Sequence, residues 1–240
     1  MRYIPKPDYS SALTLLEDAQ KKMREAGISE LYEHFHEKEQ LNSILREEQK
    51  LICCYCQRRI DHFQGDNERG SHNEHFEPEK GDNARTDLQL DYKNLYACCN
   101  ASKGFEKRLQ HCGEHKGSDV INRNFLAMRD CSEYFKYNTN GEILPQCSMN
   151  SFKEICEHRE SLTDIQRDAL QMIEVLNLNV DSLTEFRRNV QADVFKFALN
   201  KSQKQLEYKA QLLNTERKEY VQMVDMVLFF LKVFSQKAAR

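Results

Sequence analysis

The chain has no tryptophan and only 8 glycines and 4 prolines among its 240 residues. An all-β sandwich or barrel needs a turn residue every few positions, so that class is excluded. Long apolar runs are also missing. The most hydrophobic stretch, Met226 to Leu231 followed by Val233 and Phe234, is far shorter than a bilayer span and is flanked by Asp225 and Lys232. The opening Met1-Arg2-Tyr3-Ile4-Pro5-Lys6-Pro7 carries no apolar h-region, so no signal peptide is expected and the expected location is cytoplasmic. There is no excess of positive charge either. With 35 Lys and Arg against 38 Asp and Glu, the net charge of -3 excludes a uniformly basic, nucleic-acid-coating surface. What remains is 40% hydrophobic, rich enough in Leu, Ile and Phe to exclude disorder and long enough for one large domain or two small ones.

The residues present are unevenly spread. Six of the nine cysteines, five of the eight histidines and six of the eight glycines lie between residues 51 and 120, whereas Gln146 to Arg240 has neither Gly nor Pro. A turn-rich, ligand-rich core (51–120) is therefore expected between an N-terminal helical arm (1–50) and a C-terminal helical arm (161–240), with a connecting region (121–160). The fold class implied is α+β and predominantly helical. In the first arm, Leu13, Leu16, Ala19 and Met23 keep helical spacing behind Ser10 or Ser11, with Gly27 suited to a C′ position. Ser29 is expected to cap a second helix carrying Leu31, Phe35, Leu41, Ile44 and Leu45, with His34 and His36 solvated on it. Ser161 and Asp164 stand at capping-box spacing before an apolar face running from Leu162 to Leu176. Asp181 or Ser182 can cap a further helix and Thr215 a last one. Gly141 and Pro145 suggest a short hairpin in the connecting region.

Cys53 and Cys56 form a C-x2-C pair, whose spacing lets two thiolates from one tight turn reach a single tetrahedral ion. The second pair expected is Cys99 and Cys112, with Cys98 the rival for Cys99, and His111 or His115 able to complete a Cys3His site instead. A closed four-coordinate sulfur site selects structural zinc. Burial as plain apolar thiols is the competing reading of these cysteines. Between and after the pairs lie Asn73-Glu74-His75-Phe76-Glu77-Pro78, then Leu90-Asp91-Tyr92-Lys93-Asn94-Leu95, then Cys99-Asn100-Ala101-Ser102-Lys103-Gly104 and His111-Cys112-Gly113-Glu114-His115-Lys116-Gly117. Such carboxylate, imidazole, carboxamide and ammonium groups can hold a hard divalent ion, supply a base near neutral pH and neutralise a phosphate. Neighbours on a strand point to opposite faces, so Glu74 and His75 can serve different partners.

These residues resemble the HNH, or ββα-metal, nucleases. The ordered set Cys-x-Tyr-Cys, Glu-His-Phe-x-Pro, Leu-Asp-Tyr-x-Asn-Leu and His-Cys-Gly-x-x-Lys-Gly is similar to the PtuB-type HNH proteins of Septu and retron antiphage systems. The resemblance covers Cys53 to Gly117 and implies a zinc-stapled HNH core. It implies that His75 is the general base, that Glu74 is a ligand of a catalytic Mg²⁺ or Mn²⁺, and that Asn94 orients the loop holding His75. The family's third position follows the last knuckle cysteine, where this chain has Gly113; His115 or Asn100 must substitute. Lys116 or Lys103 then suits the phosphate. The implied partners are a nucleic acid substrate, a PtuA-like ABC-type ATPase and, in retron systems, a reverse transcriptase with its DNA–RNA product; no membrane is implied. Ten basic against twelve acidic residues in 51–120 make weak intrinsic affinity for nucleic acid the expectation, so a partner would supply the grip. The alternative is a non-catalytic, zinc-stabilised subunit that binds nucleic acid or a partner.

Overall fold

The computed structural model describes residues 1–64, 69–215 and 218–239. Helices dominate and the strands are few and short, as the paucity of turn residues implied. Helix α1 (Ser11–Glu25) starts where expected, with the Ser10 hydroxyl accepting from the Ala12 N–H, and Gly27 takes its left-handed position with φ +72°. The second helix departs from expectation: α2 (Lys38–Glu48) begins nine residues after Ser29, and residues 31–34 form a turn. The stretch Tyr32-Glu33-His34-Phe35-His36 is poor in strong helix formers, and its two aromatic rings are used for tertiary contact rather than for a helix face. Phe35 is buried and Tyr32 meets the His75 ring edge-on at 4.5 Å, while His34 on the turn and His36 after it stay exposed and off any helix.

A three-stranded sheet follows. Strand β1 (His62–Phe63) pairs parallel with β2 (Gly70–His75), and β2 pairs antiparallel with β3 (Leu95–Cys99), placing His72 opposite Cys98 and Glu74 opposite Tyr96. Two side chains on α2 lock this sheet. Asn42 donates to Asn73 Oδ1 (3.1 Å) and accepts from Ser71 Oγ (2.9 Å), fixing β2. Gln49, at the end of α2, both accepts from Ala97 N–H and donates to its carbonyl at 2.8 Å, gripping the middle of β3. The one-turn helix α3 (Gly113–Lys116) closes this region.

The connecting region contains the hairpin its glycine and proline suggested, β4 (Phe135–Tyr137) against β5 (Ile143–Pro145), followed by α4 (Phe152–Glu157). A β-carbon on Gly141, at φ +77°, would lie 2.2 Å from the Thr184 carbonyl oxygen, so only glycine fits there. Helix α5 (Asp164–Val175) is capped by a Thr163–Gln166 box, not by Ser161 with Asp164. The longer Gln reaches back to the cap N–H, and the Ser161 hydroxyl is already engaged with the His158 carbonyl at 2.8 Å. Helix α6 (Asp181–Ala198) is present, but Val180 is its N-cap and Asp181 lies in its first turn, so neither Asp181 nor Ser182 caps it; Asn200, at φ +61°, then separates it from α7 (Gln203–Asn214). Thr215 ends α7 instead of starting a helix, its hydroxyl donating back to the Leu212 carbonyl at 2.9 Å, and α8 (Val224–Ala238) starts from Met223.

The apolar run of α8 is buried largely within the chain itself. Met226, Val227, Phe230 and Leu231 join one hydrophobic cluster that extends from Met1 through the cysteines to the last helix, and Phe230 packs edge-on against Phe195 at 5.3 Å. Asp225 on this helix accepts from Gln57 (2.5 Å), which directly follows the C-x2-C turn, and from Arg2 (2.6 Å). Among the described residues no helix is long and apolar enough to cross a membrane.

Candidate metal centre and adjoining cleft

The sulfur centre is assembled from three segments. Cys53 donates its N–H to the Arg58 carbonyl (2.9 Å) and Gln57 donates to Cys53 (3.1 Å), which curls residues 53–57 into a tight turn. The Cys54 N–H bonds the Ala97 carbonyl (3.1 Å), docking the turn on β3, which ends in Cys98 and Cys99. The chain then loops out and returns. Ser102 Oγ accepts from the His111 N–H at 2.9 Å, closing the loop and delivering His111 and Cys112. Cys112 has φ +59°, a conformation costly for a side-chain-bearing residue, and its N–H is held by the Leu176 carbonyl at 2.8 Å.

Six ligand atoms converge here in two sets of four, Cys53, Cys98, Cys99, Cys112 and Cys56, Cys99, His111, Cys112, each set mutually within 4.8 Å. The sulfurs of Cys53 and Cys98 are 3.9 Å apart, and those of Cys56 and Cys99 3.6 Å. Zn–S bonds of ~2.3 Å at tetrahedral angles put neighbouring sulfurs ~3.8 Å apart, so the spacing and softness of these donors fit zinc. Both Cys98 and Cys99 belong to the cluster, and of the two histidines weighed, His111 belongs to it. His115 points elsewhere, its Nδ1–H donating to the Val175 carbonyl at 2.9 Å. Burial pushes the Cys56, Cys98 and Cys112 thiols well up. Cys53 lies well below an ordinary thiol: burial opposes its thiolate, but hydrogen bonds from Cys112, Cys54, Cys56 and Cys98 outweigh it. A bound cation would favour the thiolate form of all of them.

Beside the sulfurs a cleft of about 240 Å³ is lined by His72, Asn73, Glu74, His75, Pro78, Glu79, Lys80, Lys116, Gly117 and Ser118. Strand periodicity puts His72 and Glu74 on one face of β2. His72 Nε2 is 3.2 Å from Glu74 Oε2 and its Nδ1 is 2.6 Å from Asn100 Oδ1; burial pulls its pKa down, but these two acceptors outweigh burial and raise it. These two residues form a third potential metal-holding group with Cys98. Glu74 is deeply buried, yet Lys116 (3.2 Å) and His72 together hold its carboxyl below the usual range against that burial. Tyr55, from the cysteine turn, donates to its Oε1 at 3.2 Å. A β-carbon at Gly113 would fall 2.4 Å from Glu74 Oε2 and 2.8 Å from His72 Nε2. The position where a third ligand was sought is therefore backbone, and His72 fills the space above it.

His75 lies on the opposite face of β2. Its Nε2–H donates to the Gln89 carbonyl at 2.9 Å, so the Nδ1 carries the lone pair and lies 3.8 Å from Glu79. Burial lowers its pKa, against the opposing pull of Glu79. Asn94 accepts from the Glu77 N–H (2.7 Å) and donates to the carbonyls of Glu77 and Leu88 (3.1 and 3.2 Å), stapling both ends of the loop after His75. Of the residues considered for phosphate, Lys116 is buried, bonded to Glu74 and to the His75 carbonyl at 2.8 Å, whereas Lys103 is exposed. Glu74, Asn100 and Lys116 are thus brought together around His72, and His115 is not. The residues missed from the sequence were His72 and Glu79. The signal for His72 was its alternation with Glu74, and for Glu79 its place four residues after His75. No protein-family model matches the chain, and no curated protein matches it.

Proposed function

We propose that the protein is a metal-dependent endonuclease of HNH type that hydrolyses phosphodiester bonds in DNA or RNA. The observation that carries this reading is the succession β2, β3, α3 folded around one cleft, with Glu74 and His72 on the first strand, Asn100 just after the second and Gly113 opening the helix against them. The resemblance of the motifs to PtuB-type proteins supports it independently of the geometry.

His75 takes the proton. With Nε2–H tied to Gln89, its Nδ1 removes a proton from a water whose oxygen attacks phosphorus, and Glu79 stabilises the imidazolium that forms. The depressed pKa keeps the ring neutral, and so competent as a base, at pH 7. The bond from phosphorus to the leaving oxygen breaks opposite the attacking water, and that oxygen is protonated from solvent. A Mg²⁺ or Mn²⁺ ion held by Glu74 and His72 would supply positive charge beside the leaving oxygen. Asn100 fixes the His72 tautomer from behind, Asn94 positions the His75 loop, and Lys116 holds the Glu74 carboxylate and the His75 peptide in place. A metal ion such as zinc in the sulfur cluster anchors the C-x2-C turn, both strand ends and α3.

The near-neutral balance of residues 51–120 supports a partner that supplies affinity for nucleic acid, and the PtuB resemblance makes an ABC-type ATPase of an antiphage complex the first candidate. One competing reading, a non-catalytic binding subunit, is favoured by the depth at which Glu74 and His75 are buried. Mn²⁺- and Mg²⁺-dependent cleavage of plasmid, single-stranded DNA and RNA, with and without the ATPase, separates the two. His75→Ala should lower cleavage by ~10²–10⁴-fold while the protein stays folded. Cutting that His75→Ala leaves unchanged would overturn the assignment of the base.

A further inference from the structure

Zinc needs four ligands, and the sulfur centre presents six. Cys53 and Cys98 belong to one tetrad and Cys56 and His111 to the other, while Cys99 and Cys112 belong to both. Any single ion must leave out two donors that are buried and within ligand distance of the rest. The pattern of two private ligands on each side and two shared sulfurs is that of two tetrahedra joined along an edge. We infer that the centre holds two metal ions, both zinc by donor softness, bridged by the thiolates of Cys99 and Cys112.

Three further features agree with this arrangement. The first is charge. Five thiolates with one Zn²⁺ would place three negative charges in the interior, and with two they place one, the smaller cost in a site where no donor is more than 3% exposed. The second is the cation that faces the centre. Arg187 is 2% exposed and donates to the carbonyls of Gly141 (2.9 Å) and Leu178 (2.7 Å); burial pulls its pKa down, and Tyr137, Cys56 and Cys112 oppose that pull. Arg58, 9% exposed, is a second guanidinium that acts on His111, so cations surround the residual negative charge of the centre. The third is donation to sulfur. The Cys99 N–H points at Cys53 Sγ and the Gly113 N–H at Cys98 Sγ, each at 3.4 Å, so the two private sulfurs of the first tetrad are both treated as acceptors. His111 Nδ1, 3.2 Å from Cys112 Sγ, is where the second tetrad needs its nitrogen. The cluster lies outside the residues assigned to proton transfer, so this inference stands or falls separately from the nuclease reading.

Native mass spectrometry of the full-length protein purified from zinc-supplied cells tests it without any variant. Two zinc ions per chain are expected; one per chain, unchanged after dialysis against excess zinc, overturns the inference. Cobalt(II) substitution then tests the bridging. Ions that share thiolates couple magnetically, so the paramagnetic resonance signal should rise with the first equivalent and fall as the second fills. A signal that simply doubles means two unconnected sites, and overturns the shared-sulfur arrangement. His111→Ala should bring the count from two to one, and an unchanged count of two in a folded His111→Ala protein would exclude His111 as the ligand of the second ion.

Discussion

Every donor in the sulfur centre is at most 3% exposed and comes from one of three separate segments (53–56, 98–99 and 111–112), whereas the cleft beside it draws its main donors from alternate positions of one strand and leaves His72 28% exposed. Cys98 lies within reach of both groups. The contrast separates two uses of a metal-binding arrangement. Ligands gathered from distant segments and sealed from water make the ion part of the fold, because binding free energy is then folding free energy. Ligands on one rigid strand, open on one side, exist before the ion arrives and can exchange it and admit a substrate. The cleft depends on the centre nonetheless: Tyr55 and Gly113, which touch Glu74, are each next to a cysteine ligand.

The largest expected effect breaks the first half of this contrast. Cys112→Ser removes a sulfur common to both tetrads at a residue whose φ is already unfavourable, and structural zinc sites contribute on the order of 10 kcal/mol. Loss of the cooperative thermal transition is expected, and a variant that melts like the parent would show that the sulfurs do not hold the fold. Acid should act more mildly. Burial lowers the pKa of His75, while unfolded histidines titrate near 6.5. Below that value the unfolded chain binds a proton that the folded chain refuses at His75, so stability is lost as pH falls through and below 6.5. Denaturant midpoints measured across that window check the sign, and a midpoint that rises on acidification would contradict it. The smallest effect sharpens the second half. Gly113→Ala forces a methyl against Glu74 and His72, at a cost of about 1–3 kcal/mol, and should weaken Mn²⁺ binding in the cleft while the sulfur centre keeps its metal content. Titration calorimetry with Mn²⁺ would expose unaltered affinity, and with it an error in placing the cation at these two residues.

How far the molecule could be read in advance follows from how local each determinant is. The C-x2-C turn was legible because its geometry is set within four residues. Cys99 and Cys112 were legible as the closing pair, but the choices between Cys98 and Cys99 and between His111 and His115 were not, since only the tertiary structure brings His111 and both strand-end cysteines to one point. Glu74 and His75 stood out as a pair, and that pairing drew attention away from His72, which shares a strand face with Glu74. Helix caps failed in a consistent way. Ser29, Ser161 and Thr215 are all residues that cap well, but Tyr32 and Phe35 were committed to tertiary contacts, and the hydroxyls of Ser161 and Thr215 to preceding carbonyls. The break at Asn200 did have a local signal that was passed over, an Asn suited to the left-handed position followed by Ser202 and Gln205 at capping-box spacing.

The bond between Gln57 and Asp225 joins positions 168 residues apart. A ribosome adding ~5–20 residues per second delivers Asp225 roughly 8–30 seconds after Gln57, and every sulfur ligand is outside well before then. For that interval the cysteine turn exists without the helix that will clamp it from behind. A metal ion for the sulfur cluster would therefore meet an open set of thiols before the last helix bonds to the cysteine turn. A finished, metal-stripped chain should reload slowly, and Asp225→Ala should reload faster. Equal uptake rates, followed with a chromogenic zinc indicator, would show that the clamp does not control entry.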